Sequence, residues 1–394
     1  MNRSTDPWLI TVVVLLLTLG LVMVYSASAV VSAEWNGDEM YFLWRQIFAL
    51  GLGLVLCVTT ALTPMRLIRR YGTALYGAVL ALLVLCYVPG IAYKANGASR
   101  WIGLGPIHFQ PSEFAKIAVM IVLADFLDRH RGHLGDLRVL ARAALIPLPA
   151  MLLIFPEPDF GTTAIIAGLS MCMIFVAGLR LAHMAVVVGV GAGVGVPALL
   201  MEQYRVQRLT SFMDPWASLE GDGYHVIQGW IAMHSGGFWG QGLGNSVAKL
   251  HFLPEPWTDF IAAVLAEELG LVGIFVLLVL YGVFVWRGFS IARRSRDAFG
   301  MFLVACVTSM IGLQAFFNLA VVMGLVPPKG LVLPFISYGA TALQAHLWCV
   351  GILLSVASEA KETAMEQGWA YDRARLAAAA AVPAAPPVTA GGKA

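Results

Sequence analysis

Long apolar stretches alternate with short polar segments along most of the chain. A stretch of about 18 or more mostly apolar, uncharged residues forms a helix that crosses the bilayer and satisfies its own backbone hydrogen bonds. The pattern predicts an all-α polytopic membrane domain over residues 8–357, after a short cytoplasmic N-terminus at 1–7. Its ten predicted spans lie near 8–31, 44–62, 72–90, 112–127, 139–156, 160–179, 181–200, 258–286, 298–323 and 332–357.

Positive charges divide unevenly between alternate connecting segments. Arginine clusters follow the second, fourth and eighth spans, at 66–70, 129–142 and 287–296, whereas the opposite side carries fewer, scattered cations. Lysine and arginine are retained on the cytoplasmic side of a membrane. We therefore predict that both termini are cytoplasmic and that the long segment at about 201–257 faces outward.

Composition narrows the class of protein further. Of 394 residues, 59% are hydrophobic and 12% are charged, against about 25% charged in soluble domains. The net charge of +2 comes from scattered residues and gives no indication of nucleic-acid binding. The five cysteines lie in apolar segments without metal-ligand or redox spacing, which predicts buried thiols. The tail at 358–394 ends in an Ala/Pro/Gly-rich stretch, and we predict that it is cytoplasmic and largely disordered.

Polar residues gather in the outward segments, where a functional surface is expected. In the fourth span, Glu113 and Lys116 are one helical turn apart. Two interpretations remain open: the two charges neutralise each other at the membrane edge, or they face a substrate. The turn at Glu157 and Asp159 carries two further acids, and the segment at 201–257 is the outward one long enough to roof a cavity.

Asp259 is the outward acid with the most informative surroundings. Thr258 is a credible N-cap, which would place Asp259 in the first turn of the eighth span, where the helix dipole stabilises a carboxylate. Small residues on the same helical face predict space for a ligand beneath the acid: Ala262, Ala263 and Ala266. Glu267 and Glu268 follow deeper in the span, and Glu268 is predicted to contact another helix.

Four groups of motifs, in this order, resemble the SEDS family of bacterial membrane proteins, which includes FtsW, RodA and SpoVE. The resemblance covers residues from about 8 to 357. Its motifs are Asn96-Gly97-Ala98-Ser99-Arg100-Trp101-Ile102 with Gln110-Pro111-Ser112-Glu113; Pro158-Asp159-Phe160-Gly161-Thr162; Leu253-Pro254-Glu255 with Thr258-Asp259-Phe260 and Glu267-Glu268-Leu269-Gly270; and Pro327-Pro328-Lys329-Gly330 with Ser337-Tyr338-Gly339.

Details of these motifs indicate a branch of the family and two departures from its pattern. The run Gly242-Leu243-Gly244-Asn245-Ser246 with Lys249 is more similar to division-type FtsW than to RodA. Trp257 stands where the family usually has histidine, so any role of that imidazole is in doubt. Ala340 replaces a second glycine after Ser-Tyr-Gly, which predicts slightly different packing at the start of the tenth span.

The resemblance implies a peptidoglycan glycosyltransferase that polymerises lipid II at the outer face of the bacterial cytoplasmic (inner) membrane, in cell division. Asp259 matches the family's catalytic acid and would serve as general base, with inversion at the anomeric carbon and undecaprenyl diphosphate as leaving group. The substrate-binding residues expected within or near the motifs are Arg100, Trp101, Glu113, Lys116, Asp159, Lys249, Glu255, Lys329 and Ser337.

The resemblance also implies partners, and two rival functions remain open. The expected partners are a class B penicillin-binding protein of the FtsI type, other division proteins and membrane lipids. The sequence requires no cofactor and has no metal-ligand spacing, so a divalent cation such as Mg²⁺ or Mn²⁺ would be held with the substrate diphosphate. A lipid II flippase would favour internal repeats, discontinuous helices and charges at the bilayer midplane. A non-catalytic scaffold that activates its partner is the other alternative.

Overall fold

The computed structural model describes residues 6–95, 98–105, 107–157, 159–178, 210–218, 222–327 and 330–380, with isolated positions at 183–186, 189, 191, 193, 197 and 206. Side chains are described up to residue 361. The helices, in chain order, are α1 (Pro7–Asn36), α2 (Tyr41–Leu62), α3 (Met65–Leu85), α4 (Pro111–Arg129), α5 (Leu137–Leu145), α6 (Leu148–Ile154), α7 (Phe160–Val176), α8 (Asp222–Gly236), α9 (Ile261–Arg293), α10 (Ala298–Val322) and α11 (Ala340–Ala380).

The helices agree well with the predicted spans. Within the described ranges, seven stretches are long and apolar enough to cross a membrane, with α5 and α6 forming one of them around Pro147. The fourth and sixth predicted spans correspond to the more highly charged α4 and the shorter α7. Most of the seventh, at 181–200, falls outside the described residues.

The last helix, α11, differs from the prediction at both of its ends. We predicted that the last span begins at 332, but α11 begins at Ala340, because Pro334 interrupts the chain and Phe335 has a positive φ of 68°. At its other end, α11 continues to Ala380, well into the tail predicted to be largely disordered. The added segment contains many alanine, glutamate and arginine residues, which are strong helix formers.

A small antiparallel sheet follows α3 and was not predicted. Its strands are β1 (Ala92–Ala95), β2 (Ala98–Leu104) and β3 (Ile107–Phe109), in the order β1-β2-β3. Tyr93 pairs with Trp101, and Gly103 pairs with His108. The sheet leads through Gln110 directly into the N-terminal end of α4.

The centre of the bundle is formed by α10 and α11, whose most apolar windows are 67% and 78% buried, whereas those of α2, α3 and α9 are 22% buried. The latter helices therefore present a large apolar surface to lipid. The most extensive helix packing among the described residues is between α2 and α11. A Cβ on Gly351 would lie 2.6 Å from the Cys57 carbonyl oxygen, so small residues allow these backbones to approach closely.

A break in α9 occurs at Gly270, which has φ 65° and ψ −164°. The carbonyl of Glu267 accepts a hydrogen bond from the Gln241 N–H at 2.9 Å, and that of Glu268 accepts one from the Gly242 N–H at 3.0 Å. On the other side of the break, the Leu271 N–H donates to the Gly237 carbonyl at 3.0 Å. The loop after α8 thus satisfies the backbone groups that the break releases.

Candidate active site

A cavity of about 720 Å³ opens at the N-terminal ends of α2, α4, α7, α9 and α11. This volume lies within the range of small-molecule binding sites. The strands β1–β3 form part of its wall, whereas Glu255 is the one described residue of the long segment at 201–257 that lines it. Among the described residues, the sheet therefore contributes more of the cavity wall than the segment at 201–257 does. Its charged and amide side chains are Arg45, Arg100, Gln110, Glu113, Asp159, Glu255, Asp259, Gln314 and Gln344.

One wall of the cavity is apolar and continuous with the lipid-facing surface. Trp44, Phe48 and Leu52 follow one another at four-residue spacing on α2, and all three line the cavity. Each is also exposed at the protein surface. The cavity therefore joins a charged compartment to an apolar helix face, a combination that suits an amphiphilic molecule with a polar head and a hydrocarbon chain.

Asp259 lies in a turn immediately before α9, not in its first helical turn as predicted. The helix begins at Ile261, and no side chain caps it. The Thr258 hydroxyl donates instead to the Glu255 carbonyl oxygen at 2.9 Å. The predicted ligand space beneath the acid is also wrong, because tightly packed core surrounds all three small residues, none of which is more than 4% exposed: Ala262, Ala263 and Ala266.

Three consecutive carbonyl groups fix the turn that carries Asp259. The Trp257 carbonyl accepts a hydrogen bond from the Tyr338 N–H at 2.8 Å. The Thr258 carbonyl accepts one from the Ser337 hydroxyl at 2.7 Å, and the Asp259 carbonyl accepts one from Asn318 Nδ2 at 2.9 Å. Donors from α10 and from the segment before α11 therefore set the path of the backbone at the acid.

Ser337 was predicted to bind substrate, but its hydroxyl is engaged in this turn. It is buried, it donates to the Thr258 carbonyl, and it accepts from the Leu333 N–H at 2.8 Å. Gln46 of α2 holds the same segment, since its Nε2 donates to the Ser337 carbonyl at 3.2 Å. Ser337 thus supports the wall of the cavity from behind.

Gly330 lies directly against the carboxylate of Asp259. A Cβ on this glycine would stand 3.3 Å from Asp259 Oδ2, which is tighter than most contacts of real Cβ atoms. The absence of a side chain at position 330 therefore keeps this side of the carboxylate accessible. Lys329, predicted to bind substrate, lies outside the described residues.

Trp257, which departs from the family pattern, supports the same turn from outside the cavity. Its ring stacks on Phe42 with centroids 5.1 Å apart and meets Trp35 edge-on at 6.0 Å. Because the indole is buried and does not line the cavity, it acts through packing. Ala340, the second departure, begins α11 and does line the cavity.

Glu113 and Lys116 form an ion pair with 2.8 Å between Oε2 and Nζ. Both are buried, but Glu113 lines the cavity whereas Lys116 does not. The two charges therefore neutralise each other, as the first interpretation states, and Glu113 also faces the cavity in which the second interpretation would place a substrate. Nearby, His346 Nε2 lies 3.0 Å from Gln314 Oε1, and Gln314 also lines the cavity.

Arg100 and Asp159 lie on the wall formed by β2 and the start of α7. Arg100 Nε donates to the Glu157 carbonyl oxygen at 3.0 Å, and Asp159 Oδ1 accepts from the Thr162 N–H at 3.1 Å as the N-cap of α7. The Glu157 carboxyl is 1% exposed and makes no well-formed hydrogen bond among the described residues. Burial, reinforced by repulsion from Asp159, raises the pKa of Glu157 to about 8, although Arg100 opposes the shift.

We expect this carboxyl to make stability depend on pH. The folded protein keeps a proton that the unfolded chain releases above the ordinary pKa of 4.5. The contribution of the protonated carboxyl to the free energy of unfolding is fully present below that value. It is lost as the pH rises to about 8, by at most about 1.4 kcal/mol per pH unit. Glu157→Gln should remove this slope in thermal unfolding, whereas Glu39→Gln, at an exposed position, should keep it. Equal slopes for Glu157→Gln and the wild type would contradict the effect of burial.

Lys249 lies in a second, smaller cavity between α1 and the loop at 243–250. Its Nζ donates to Glu268 Oε1 at 3.0 Å, to the Gly244 carbonyl oxygen at 2.6 Å and to Ser26 Oγ at 3.2 Å. All three ammonium protons thus have partners, and the predicted contact with substrate lacks a geometric basis. The prediction that Glu268 contacts another helix is confirmed, because its Oε1 accepts from Ser26 of α1 at 2.6 Å.

Glu267 is fully engaged with its surroundings as well. Its carboxylate accepts hydrogen bonds from the hydroxyls of Ser235 and Ser246 and from the backbone N–H groups of Val247 and Ala248. It lines neither of these two cavities. The two acids deep in α9 therefore stabilise the break at Gly270 and its loop.

Of the predicted site residues, the structure brings six to the main cavity: Arg100, Trp101, Glu113, Asp159, Glu255 and Asp259. Arg45, His108 and Gln314 also line it, although they were not among the predicted site residues. Arg45 and Gln314 are polar residues within apolar helices, a signal that could have identified them. The pKa of His108 is lowered by burial and by the nearby Arg45 charge.

The described residues contain no group of three or more His, Cys, Asp or Glu side chains arranged to hold a metal ion. Four carboxylates nevertheless line the main cavity, from Glu113, Asp159, Glu255 and Asp259. Protein side chains alone therefore do not form a complete set of metal ligands in this part of the chain.

Residues 7–362 match the family described as "Cell cycle protein", that of FtsW, RodA and SpoVE. The chain belongs to this family. It is 40% identical over 356 residues to stage V sporulation protein E of Bacillus subtilis (strain 168), covering 90% of this chain and 97% of that relative. It is 41% identical over 360 residues to the probable peptidoglycan glycosyltransferase FtsW of Halothiobacillus neapolitanus, covering 90% and 86%.

Solved structures of the FtsW/RodA/SpoVE family share the fold. A chain from a structure entitled "Structural coordination of polymerization and crosslinking by a peptidoglycan synthase complex" has a TM-score of 0.76 and 30% identity, covering 91% of this chain and 98% of that one. RodA of Thermus thermophilus has a TM-score of 0.67 and 30% identity, covering 90% and 97%. The predicted family and its multi-pass helical membrane fold are confirmed.

Proposed function

We propose that this chain is a peptidoglycan glycosyltransferase that polymerises lipid II at the outer face of the bacterial cytoplasmic (inner) membrane. The observation that carries the proposal is the position of Asp259. It lines a cavity that also offers the guanidinium groups of Arg45 and Arg100 and a lipid-facing apolar wall on α2. Lipid II has a matching division into sugar, diphosphate and polyprenyl chain. Family relatives named peptidoglycan glycosyltransferases support the same assignment.

The proposed reaction is a single displacement with Asp259 as general base. Asp259 takes the proton from a sugar hydroxyl of one lipid-linked glycan as that oxygen attacks the anomeric carbon of another. The new C–O bond forms as the bond to the diphosphate oxygen breaks, which inverts the anomeric centre and releases undecaprenyl diphosphate. The proton then passes to water. A covalent glycosyl-enzyme intermediate is not needed.

The leaving diphosphate gains negative charge and requires compensation. Arg45 and Arg100 line the cavity and would supply it, while Trp101, Glu113, Asp159 and Glu255 shape the sugar and diphosphate compartment. Mg²⁺ or Mn²⁺ held by the diphosphate would share this task. The apolar face at Trp44, Phe48 and Leu52 would guide the polyprenyl chain into the bilayer.

We further propose that the protein acts in cell division, at the septum, with both termini in the cytoplasm. Its partner would be an FtsI-like class B penicillin-binding protein, which crosslinks the strands, together with other division proteins. Support comes from the FtsW relatives and from the fold shared with a chain of a peptidoglycan synthase complex. Inward-side ion pairs fit this orientation: Arg69 with Asp125 and Asp128, and Arg287 with Asp6.

The flippase alternative draws support from the broken helix α9, because discontinuous helices are common in transporters. However, the acids beside the break are engaged in internal bonds, with Glu268 paired to Lys249 and Glu267 bonded to four donors. These bonds give the break a structural purpose. Surface chemistry at Asp259 therefore explains more of the described polar residues than transport does.

The test is reconstitution of the purified protein with its partner in vesicles that contain fluorescent lipid II. We expect glycan polymer on a gel, formed from lipid II in the outward-facing leaflet. Transbilayer movement of lipid II without polymer would identify a flippase. Polymer only when a separate glycosyltransferase is added would identify a scaffold. Either of these outcomes would overturn the proposal.

A further inference from the structure

Asn318 of α10 joins the two segments that meet at the proposed general base. Its Nδ2 donates to the Asp259 carbonyl oxygen at 2.9 Å and to the Leu331 carbonyl oxygen at 2.6 Å. Both protons of the amide are thus used, one on each segment. The side chain is 1% exposed and does not line the main cavity, so it reaches the site through the backbone.

One segment carries the Asp259 carboxylate and the other lies beside it, so the distance between the two backbones sets the space around the acid. Asp259 carries the acid, while Gly330, the neighbour of Leu331, stands so close that an added Cβ would lie 3.3 Å from Asp259 Oδ2. A small shift of either backbone would therefore change the space beside the carboxylate. Asn318 is a direct link between these two backbones.

One atom of the buried Asn318 side chain destabilises the fold. Its Oδ1 is buried and has no hydrogen-bond partner among the described residues. A buried polar atom without a partner is destabilising. An apolar side chain of similar shape would avoid that cost but would lose the two donated bonds, so the amide is kept for its donors.

We propose that Asn318 is a positioning residue that aims the Asp259 carboxylate by tying its backbone to Leu331. This inference rests on the proposed function of Asp259. A misplacement of about 1 Å in a catalytic group can lower a rate about a hundredfold. Loss of the Asn318 donors should therefore act on the chemical step more than on substrate binding.

The test compares two nearly isosteric variants in lipid II polymerisation with the partner present. Asn318→Leu removes the donors together with the orphaned oxygen, and we expect kcat to fall by about 10- to 100-fold while KM stays within about twofold. Thermal stability should fall moderately, because removal of the orphaned oxygen offsets only part of the loss of the two donated bonds. Asn318→Asp places acceptors against two carbonyl oxygens, so its kcat should fall at least as far. If the leucine variant does not fold, Asn318→Ala replaces it in the same comparison.

Two controls separate positioning from a general structural defect. Ser309→Ala, on the same helix, removes a hydroxyl that bonds only the Ala305 carbonyl oxygen one turn away, and it should leave kcat unchanged. Combining Asn318→Leu with Asp259→Asn should be no slower than Asp259→Asn alone, since both changes act on one group. An unchanged kcat in a folded Asn318→Leu protein, or multiplied losses in the double variant, would overturn the inference. Full activity of Asp259→Asn would instead refute the proposed function.

Discussion

Asp259→Asn is expected to lower the kcat of lipid II polymerisation by about 10²- to 10⁴-fold, the usual contribution of a general base. The amide keeps the shape of the carboxylate but cannot accept the hydroxyl proton. The backbone bonds that hold the turn come from Asn318, Ser337 and Tyr338 to carbonyl groups, so the fold should be retained. KM should change little, and single-turnover measurements with the purified complex would separate the two parameters.

The matched control is Asp38→Asn, which makes the same chemical change at an exposed position between α1 and α2. Asp38 accepts a hydrogen bond from the Met40 N–H at 2.9 Å and does not line the main cavity. Its polymerisation rate should equal that of the wild type. If Asp259→Asn polymerised lipid II at the wild-type rate while binding its partner normally, Asp259 would not be the base.

Much of the helical framework could be predicted from the sequence because lipid imposes a simple rule. A membrane-spanning helix such as α1 or α10 needs about 20 consecutive, mainly apolar residues, and such a run can be read directly from the sequence. The rule is weaker at helix ends. The last span begins at Ala340 and not at 332, since contacts from Gln46 and Tyr281 hold residues 334–337 in an irregular path.

The turn at Asp259 shows why local rules failed at the site. N-cap preferences describe a residue and its next three neighbours, and by that rule Thr258 should cap the helix. The observed turn depends on donors far along the chain, from Asn318 and Ser337. No local pattern contains those bonds, so the sequence could identify the acid but not its environment.

The strands beside the cavity had a sequence signal that was not used. Asn96-Gly97 is a pair that favours two-residue hairpin turns, and antiparallel strands lie on either side of it.

The sequence alone could not show which of the cations line the main cavity. Arg45 and Lys249 are both on the side predicted to face outward, but Arg45 lines the main cavity whereas Lys249 is held in an ion pair outside it.

The pair of Lys249 and Glu268 gives the largest expected effect on stability. The side chains are 7% and 0% exposed, and 3.0 Å separates Nζ from Oε1. Removing one partner of a buried ion pair leaves a charge without compensation and costs about 3–5 kcal/mol. We therefore expect Lys249→Met to lower the thermal unfolding temperature strongly, with a similar loss in Glu268→Ala.

The double variant Lys249→Met/Glu268→Gln tests the origin of that loss. Replacing both charges with neutral groups of similar size is often nearly neutral for stability, so it should recover most of the single-variant deficit. Ser26 can still donate to the amide oxygen at position 268, which preserves the link to α1. The sequence-based alternative, in which Lys249 binds substrate, predicts the opposite pattern. A stable Lys249→Met protein with a raised KM for lipid II, and no recovery in the double variant, would show that the lysine serves the substrate.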